Sequence, residues 1–253
     1  MKKSFLIVLT TIFLCLSNIA FAKAEVITLY SYHNHPPFVT GANSGLTFEL
    51  ARQLNEQAAG RYLFQVSIVP RSRLNYYLKG WIKGECPSHE CEDNWLVPWV
   101  NPKWGFIKGL RDNYLWHELF SDENVIVSHA SNPWVYKSPE SLKELVFAGM
   151  RGHRYVGIDD LVKTGDIIRI DGNRERDNLL KILEKRVDAT VLPSSTMRYL
   201  FKNDLVISKQ SRDLKVADTK HQKYIRYAML PETRNDLLLL LKDIKLKELS
   251  LSS

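Results

Sequence analysis

The sequence predicts an α/β fold of two units, each of roughly a hundred residues. Two observations carry that reading. From residue 26 to residue 249 the apolar residues alternate at the period of a strand and then recur at the spacing of a helix, again and again. The 253-residue chain, 45% hydrophobic and 25% charged, has apolar surface enough for one large core or two small ones and is too balanced to stay unfolded. No repeat of solenoid length breaks the pattern, and the length favours two half-size sheets over one large sheet.

The chain opens with Lys2 and Lys3, an apolar run from Phe5 to Leu16, and Ala20-Phe21-Ala22. That is the basic, apolar and small-x-small order of a signal peptide. Residues 1–22 are therefore expected to be cleaved before Lys23 or, through Ala22-Lys23-Ala24, before Glu25. The apolar run falls short of the roughly 20 residues that span a bilayer, and Cys15 lacks the small residues a lipid-attachment site needs before it. The Leu237–Leu241 run is also too short. A periplasmic protein is expected.

Residues 26–30 form a first strand. After Pro36-Pro37 and Gly45, residues Leu46, Leu50, Leu54 and Ala58 mark a helix ending at Gly60. Tyr62, Phe64, Val66 and Ile68 alternate as a second strand. Pro70 opens a second helix with Leu74, Leu78 and Ile82 on one face and Gly84 near its end. Cys86 and Cys91 follow, placed by export in an oxidising compartment, where a small disulfide ring is the expected state. Trp95, Trp99 and Trp104 mark a Trp-rich stretch. The second set begins at residue 124: strands over 146–150, 167–170 and 187–192, helices over 156–163, 174–186 and from Ser194. A last strand over 224–230 leads to a long helix from about 232 to 249.

Composition excludes several classes. The formal net charge of +7 includes Lys2 and Lys3, and the remaining basic excess is scattered, with no basic block, so nucleic-acid binding is not expected. There is no G-x-G-x-x-G and no Walker loop, and no cofactor is expected. There is also no H-E-x-x-H, no G-x-S-x-G and no nucleophile–base pair, which argues against an enzyme. His33 and His35 share a strand face and His89-Glu90 sits between the cysteines, yet neither pair has further ligands at metal-site spacing. No metal is expected.

The segment Tyr30-Ser31-Tyr32-His33-Asn34-His35-Pro36-Pro37-Phe38, followed by Gly45-Leu46-Thr47-Phe48-Glu49-Leu50, resembles the opening of bacterial extracellular solute-binding proteins of family 3. Pro70-Arg71-x-Arg73, Phe120-Ser121, Ser138-Pro139-Glu140-Ser141-Leu142-Lys143 and Arg186-Val187-Asp188-Ala189 extend the likeness, in order, over nearly all of the chain after residue 22. The resemblance implies a two-lobed periplasmic-binding-protein fold (type II), each lobe a mostly parallel sheet flanked by helices. Lobe 1 would be 25–122 plus 227–253 and lobe 2 would be 127–222, with hinge crossings near 123–126 and 223–226. A small polar or anionic, amino-acid-like solute would be trapped between the lobes by a monomer and passed to an inner-membrane ABC transporter permease or a sensor kinase.

The implied cleft residues are Tyr32, His35 and Phe38 after the first strand, with Trp104 and Tyr114 before the hinge and Ser194 after the 187–192 strand. In lobe 2, Arg151, Gly152, His153 and Arg154 are expected to open a helix whose amides face the cleft and hold an anionic group. The family's amino-acid clamp is incomplete here: its arginine position falls on Tyr114, with Arg111 nearby, and its acid is replaced by the run into Ser194-Ser195-Thr196. Arg71 and Arg73 are expected to pair with Glu49 or Asp93. An enzyme on the same fold, dehydratase-like and using His35, Glu49 or His153, and a partner-binding module with a degenerate cleft are the alternatives.

Overall fold

The computed structural model describes residues 23–86, 91–106, 114–244 and 246. The expected signal peptide, Arg111, and the His89-Glu90 pair lie outside them. Nine strands and seven helices are seen: β1 (Glu25–Ser31), α1 (Leu46–Ala58), β2 (Tyr62–Ile68), α2 (Arg71–Lys83), β3 (Trp95–Val100), β4 (Tyr114–His129), β5 (Val146–Met150), α3 (Ile158–Lys163), β6 (Ile168–Gly172), α4 (Glu175–Leu183), β7 (Ala189–Pro193), α5 (Ser194–Asn203), α6 (Leu205–Lys209), β8 (Leu214–Val216), β9 (Gln222–Pro231) and α7 (Asn235–Leu241). Cys86 and Cys91 form a disulfide, as expected.

The expectation of two separate sheets is corrected. The strands form one hydrogen-bonded ladder in the order β2-β1-β3-β9-β4-β7-β5-β6, with β8 added on β4. Two long strands make it continuous. The first half of β4 pairs antiparallel with β9, and the stretch from Asn124 to Ser128 pairs with β7. The outer pairs β1–β2, β1–β3, β5–β6 and β5–β7 are parallel, as crossovers require, while the middle of the ladder is antiparallel. Helices cover both faces of each half. Leu46, Leu50 and Leu54 of α1 and Leu237 and Leu241 of α7 pack on Ile27 and Leu29, while Leu74 and Leu78 of α2 pack on Trp95 and Val97. In the other half Leu179 of α4 and Leu200 of α5 lie on one face and Ile158 of α3 on the opposite one.

The differences from expectation have local causes. The Trp-rich stretch contains β3, whose six residues are all buried. Its apolar residues do not alternate with polar ones, so strand period is invisible there. Pro98 sits where the β3–β9 register shifts, the position a proline tolerates within a sheet. The last helix starts at Asn235, after β9 has run to Pro231 and Arg234 has turned back to donate to Glu25 and to the Asp93 carbonyl. It ends at Leu241, with residues 242–244 outside the helix, which corrects the expected long helix toward 249; residues 247–249 lie outside the described residues.

The turn after β1 is pinned to α1. Leu46 N–H donates to the Pro37 carbonyl at 2.9 Å and Thr47 N–H to that of Phe38 at 3.0 Å. This approach requires glycine at position 45, where φ is 107° and a Cβ would stand 2.6 Å from the Phe38 carbonyl oxygen. Gly45→Ala should therefore destabilise the fold by about 2 kcal/mol or more. Thermal unfolding should show a midpoint about 4–8 °C lower; an unchanged midpoint would show that the turn is not held this way.

Candidate functional site

The two halves of the sheet meet where β4 and β9 cross, and the most buried charged pair in the described residues sits there. Arg226 lies on the face of β9 that also carries Ala228 and Leu230, and it is 1% exposed. Its Nε donates to Asp122 Oδ2 of β4 at 2.8 Å, its Nη1 to the Trp99 carbonyl at 3.1 Å and its Nη2 to the Tyr224 hydroxyl at 3.2 Å. The guanidinium lies 4.6 Å from the centre of the Phe38 ring. Asp122 also accepts from the Ser195 hydroxyl at 2.7 Å and from the Ser195 N–H at 3.2 Å, so it caps α5 from another element. One carboxylate thus ties β4, β9 and the helix that follows β7. Trp99 has φ 69°, strained for a bulky residue, and this conformation coincides with its carbonyl accepting from Arg226 and its indole N–H donating to Thr47.

Beside this node the β1 turn reaches across the cleft. The Thr196 hydroxyl of α5 donates to the Pro36 carbonyl at 2.9 Å. His35 Nδ1 lies 3.9 Å from Glu175 Oε1 at the start of α4 and 3.4 Å from Thr196 Oγ1. On the other side, His35 Nε2 is 3.4 Å from His33 Nδ1. His33 is buried against Tyr32, Phe38 and Trp104, and its Nε2 has no hydrogen-bond partner among the described residues. Burial, and then the positive charge of Arg226, hold the His33 imidazole well below its ordinary pKa, so it is neutral at pH 7. His153 stands near enough to Glu175 and His35 to feel their charges. Arg71 at the start of α2 donates to the Tyr32 hydroxyl at 3.1 Å and to the Trp104 carbonyl at 3.0 Å. Neither it nor Arg73 has a carboxylate partner among the described residues: Glu49 pairs with Arg52, and the Asp93 carboxylate accepts from Trp81 and Thr233, correcting the pairing expected for Arg71 and Arg73.

Of the expected cleft residues, Tyr32, His35, Trp104 and His153 come together around His33, Arg71 and Glu175. Phe38 is fully buried and forms the floor beneath His33 and Arg226. Tyr114 instead joins the aromatic cluster of Trp81, Trp95 and Trp116. The Ser194 hydroxyl accepts from Arg198 within α5, and the next two residues, Ser195 and Thr196, make the contacts to the first half. The turn at Arg151, Gly152, His153 and Arg154 does not open a helix. α3 begins at Ile158, and the N–H groups of Arg151, His153 and Tyr155 are taken by Gly172, Met150 and Asp159. All four residues are exposed, and Arg169 braces the turn by donating to the carbonyls of Met150 and His153, each at 3.0 Å. No group of three or more His, Cys, Asp or Glu side chains able to hold a metal occurs among the described residues.

Asp122, Arg226, Glu175 and Thr196 were not singled out from the sequence. Only Arg226 left a signal there, a charge in phase with Ala228 and Leu230 on an apolar strand, which needs a buried partner.

The described fold is the two-lobed type II periplasmic-binding-protein fold. Solved structures share it: the holo form of an arginine-binding protein from T. maritima, 16% identical, with a TM-score of 0.57 over 89% of this chain and 91% of that one. The GluR0 ligand-binding core in complex with L-glutamate, 15% identical, aligns with a TM-score of 0.59 over 88% of this chain and 92% of the other. The substrate-binding protein of an amino acid ABC transporter, 16% identical, gives 0.55 over 89% and 93%. No family model matches the chain, and no curated protein sequence does.

Asp122→Ala leaves Arg226 buried without a counter-charge and should cost about 3–5 kcal/mol in urea unfolding, whereas Asp122→Leu combined with Arg226→Met should recover much of that loss. A double variant no more stable than the single one would show that the pair does not act as a unit. His33 is neutral when folded and takes a proton when unfolded below about pH 6.5, so acid favours the unfolded state. Stability should be flat above neutral pH and should fall from pH 7 toward 5, His33 contributing up to about 1.4 kcal/mol per pH unit. His33→Gln should shallow that slope in urea titrations at several pH values; an unchanged slope would remove His33 as its source.

Proposed function

We propose that the protein captures a small polar, amino-acid-like solute between its two lobes and releases it by opening, as a binding protein and not an enzyme. In this reading residues 25–122 and 227–253 form lobe 1, residues 127–222 form lobe 2, and the crossings near 123–126 and 223–226 act as the hinge. The protein works in the periplasm after loss of residues 1–22, as a monomer, and hands its solute to an inner-membrane ABC transporter or a sensor.

The observation that carries the reading is the grip across the cleft, in which the His35–Pro36 turn meets Thr196 and Glu175 at the starts of two lobe 2 helices. Such contacts exist only when the lobes are closed, and a solute bridging the same walls would shift the population toward that state. The chemistry of the walls supports the solute class. Arg71, without an acidic partner among the described residues and with donors to spare, suits a carboxylate; Glu175, 4% exposed beside His35, suits a cationic group; Trp104 and Tyr32 offer ring faces. Arg151 and Arg154, exposed next to His153, act in this reading by drawing an anionic solute toward the cleft. The filled centre of the cleft, with Arg226 and Asp122 already paired, is what favours the second reading of a partner-binding module.

A thermal-shift screen against amino acids, small carboxylates, polyamines and short oligosaccharides tests the proposal. A solute at 100 times its dissociation constant stabilises by about 2.7 kcal/mol, which for a chain of this size raises the midpoint by about 5–10 °C. Arg71→Ala and Glu175→Gln should each weaken the hit at least about tenfold. Arg151→Ala and Arg154→Ala should change affinity less, through the association rate. A silent screen would turn the assignment to the partner-binding module, and a hit indifferent to Arg71 and Glu175 would move the solute out of this cleft.

A further inference from the structure

The hydrogen-bonded ladder runs out at β2 on one side and at β6 on the other, and the two ends differ in charge. β6 is five residues long and carries Arg169 and Asp171, whereas β2, Tyr62-Leu63-Phe64-Gln65-Val66-Ser67-Ile68, has seven residues with neither a charge nor a proline. Charges, prolines and short length are what keep an open strand edge from pairing with another chain. β2 has none of these protections in its own sequence.

The protection comes from a helix. Successive residues of a strand aim their backbone groups to opposite sides. The Arg61 carbonyl accepts from Glu25 and the Val69 N–H donates to Ser31, so the odd-numbered residues face β1, and Tyr62, Phe64, Val66 and Ile68 face the open edge. At Phe64 that edge is occupied: Asn55 Oδ1 of α1 accepts from the Phe64 N–H at 2.7 Å, and Asn55 Nδ2 donates to the Phe64 carbonyl at 3.1 Å. One side-chain amide thus makes both hydrogen bonds that a residue of an added antiparallel strand would make. Leu54, next to it, is fully buried, so the packing of α1 holds the amide in place. A groove of about 860 Å³ runs between α1 and this edge, bordered by Phe48, Asn55, Phe64 and Val66, room of the kind that the side chains of an added strand need.

We propose that Asn55 guards β2, its amide standing where the strand of a second copy of this chain would otherwise pair. The excluded occupant is a second copy because β2 is self-complementary. About a twofold axis through Gln65, two antiparallel β2 strands set Phe64 opposite Val66 and Tyr62 opposite Ile68, so every edge-facing residue meets another. No like charges oppose each other, since Arg61 falls opposite Val69. Asparagine suits the task by carrying both an acceptor and a donor; aspartate would turn a carboxylate on the Phe64 carbonyl, and alanine would leave both backbone groups open. The guard does not rest on the solute reading of the cleft.

Sedimentation velocity over a concentration series tests it. The wild-type chain should stay a single copy, and Asn55→Ala should approach twice that mass as concentration rises. Adding Gln65→Lys, at an exposed position where the axis sets two like charges face to face, should return the variant to a single copy. Asn55→Ala that stays monomeric overturns the guard, and so does a wild-type chain that dimerises as readily. A dimer that survives Gln65→Lys, or aggregates that grow without passing through a dimer, overturns the twofold pairing of β2. Should Asn55→Ala fail to fold, amide exchange in the wild-type chain decides: the Phe64 N–H should exchange at least about fivefold more slowly than the Val66 N–H on the same edge, once intrinsic rates are allowed for. Equal rates overturn the guard.

Discussion

A carboxylate and a guanidinium, both removed from water, stand at the point where the two halves of the sheet join. The charges of Asp122 and Arg226 tolerate this burial only because the partners around them are complete. Asp122 receives N–H and O–H groups from Ser195, an N–H from Glu123 and the Arg226 Nε; Arg226 is satisfied by a carbonyl and a hydroxyl besides. Asp122, Arg226, Trp99 and Ser195 come from four different parts of the chain, so the pair registers β4, β9, β3 and α5 against one another in a way that apolar packing, which lacks direction, would not. The Phe38 floor and the strained Trp99 carbonyl are positioned by the same guanidinium.

The cleft inherits its shape from that node. With α5 capped by Asp122, Thr196 one residue further on is aimed at the Pro36 carbonyl, and the turn bearing His33 and His35 is held from behind by Gly45 and the first turn of α1. In the proposed two-lobed reading, opening would break the outer contacts of His35 and Thr196, whereas the node lies beside the crossing where β4 also pairs with β7.

The fold is shared over nearly nine-tenths of the chain at 12–17% identity, a level at which architecture persists and site chemistry does not have to. Here a cluster of imidazoles crowds the wall, and Arg71, with no acidic partner among the described residues, stands at the start of α2.

What was legible in the sequence was whatever leaves a periodic or positional trace. The alternation in β1 and β2, the leucine stripes of α1 and α2, the glycine and prolines of the β1 turn and the close pair of cysteines each record a local constraint. Tyr32, His35, Trp104 and His153 were grouped at one cleft by the resemblance to solute-binding proteins of family 3, not by any local trace of their own. The continuity of the sheet, the buried β3, the inward turn of Tyr114 and the satisfied amides at Arg151 and His153 left no such trace. They depend on which residues far apart in the chain meet, as do the pairings of Asp122 with Ser195, 73 residues on, and with Arg226, 104 residues on. Local sequence sets the period of a strand or helix, because backbone geometry repeats over a few residues; the partner of a buried charge is chosen only when the chain has folded and water has been excluded around it.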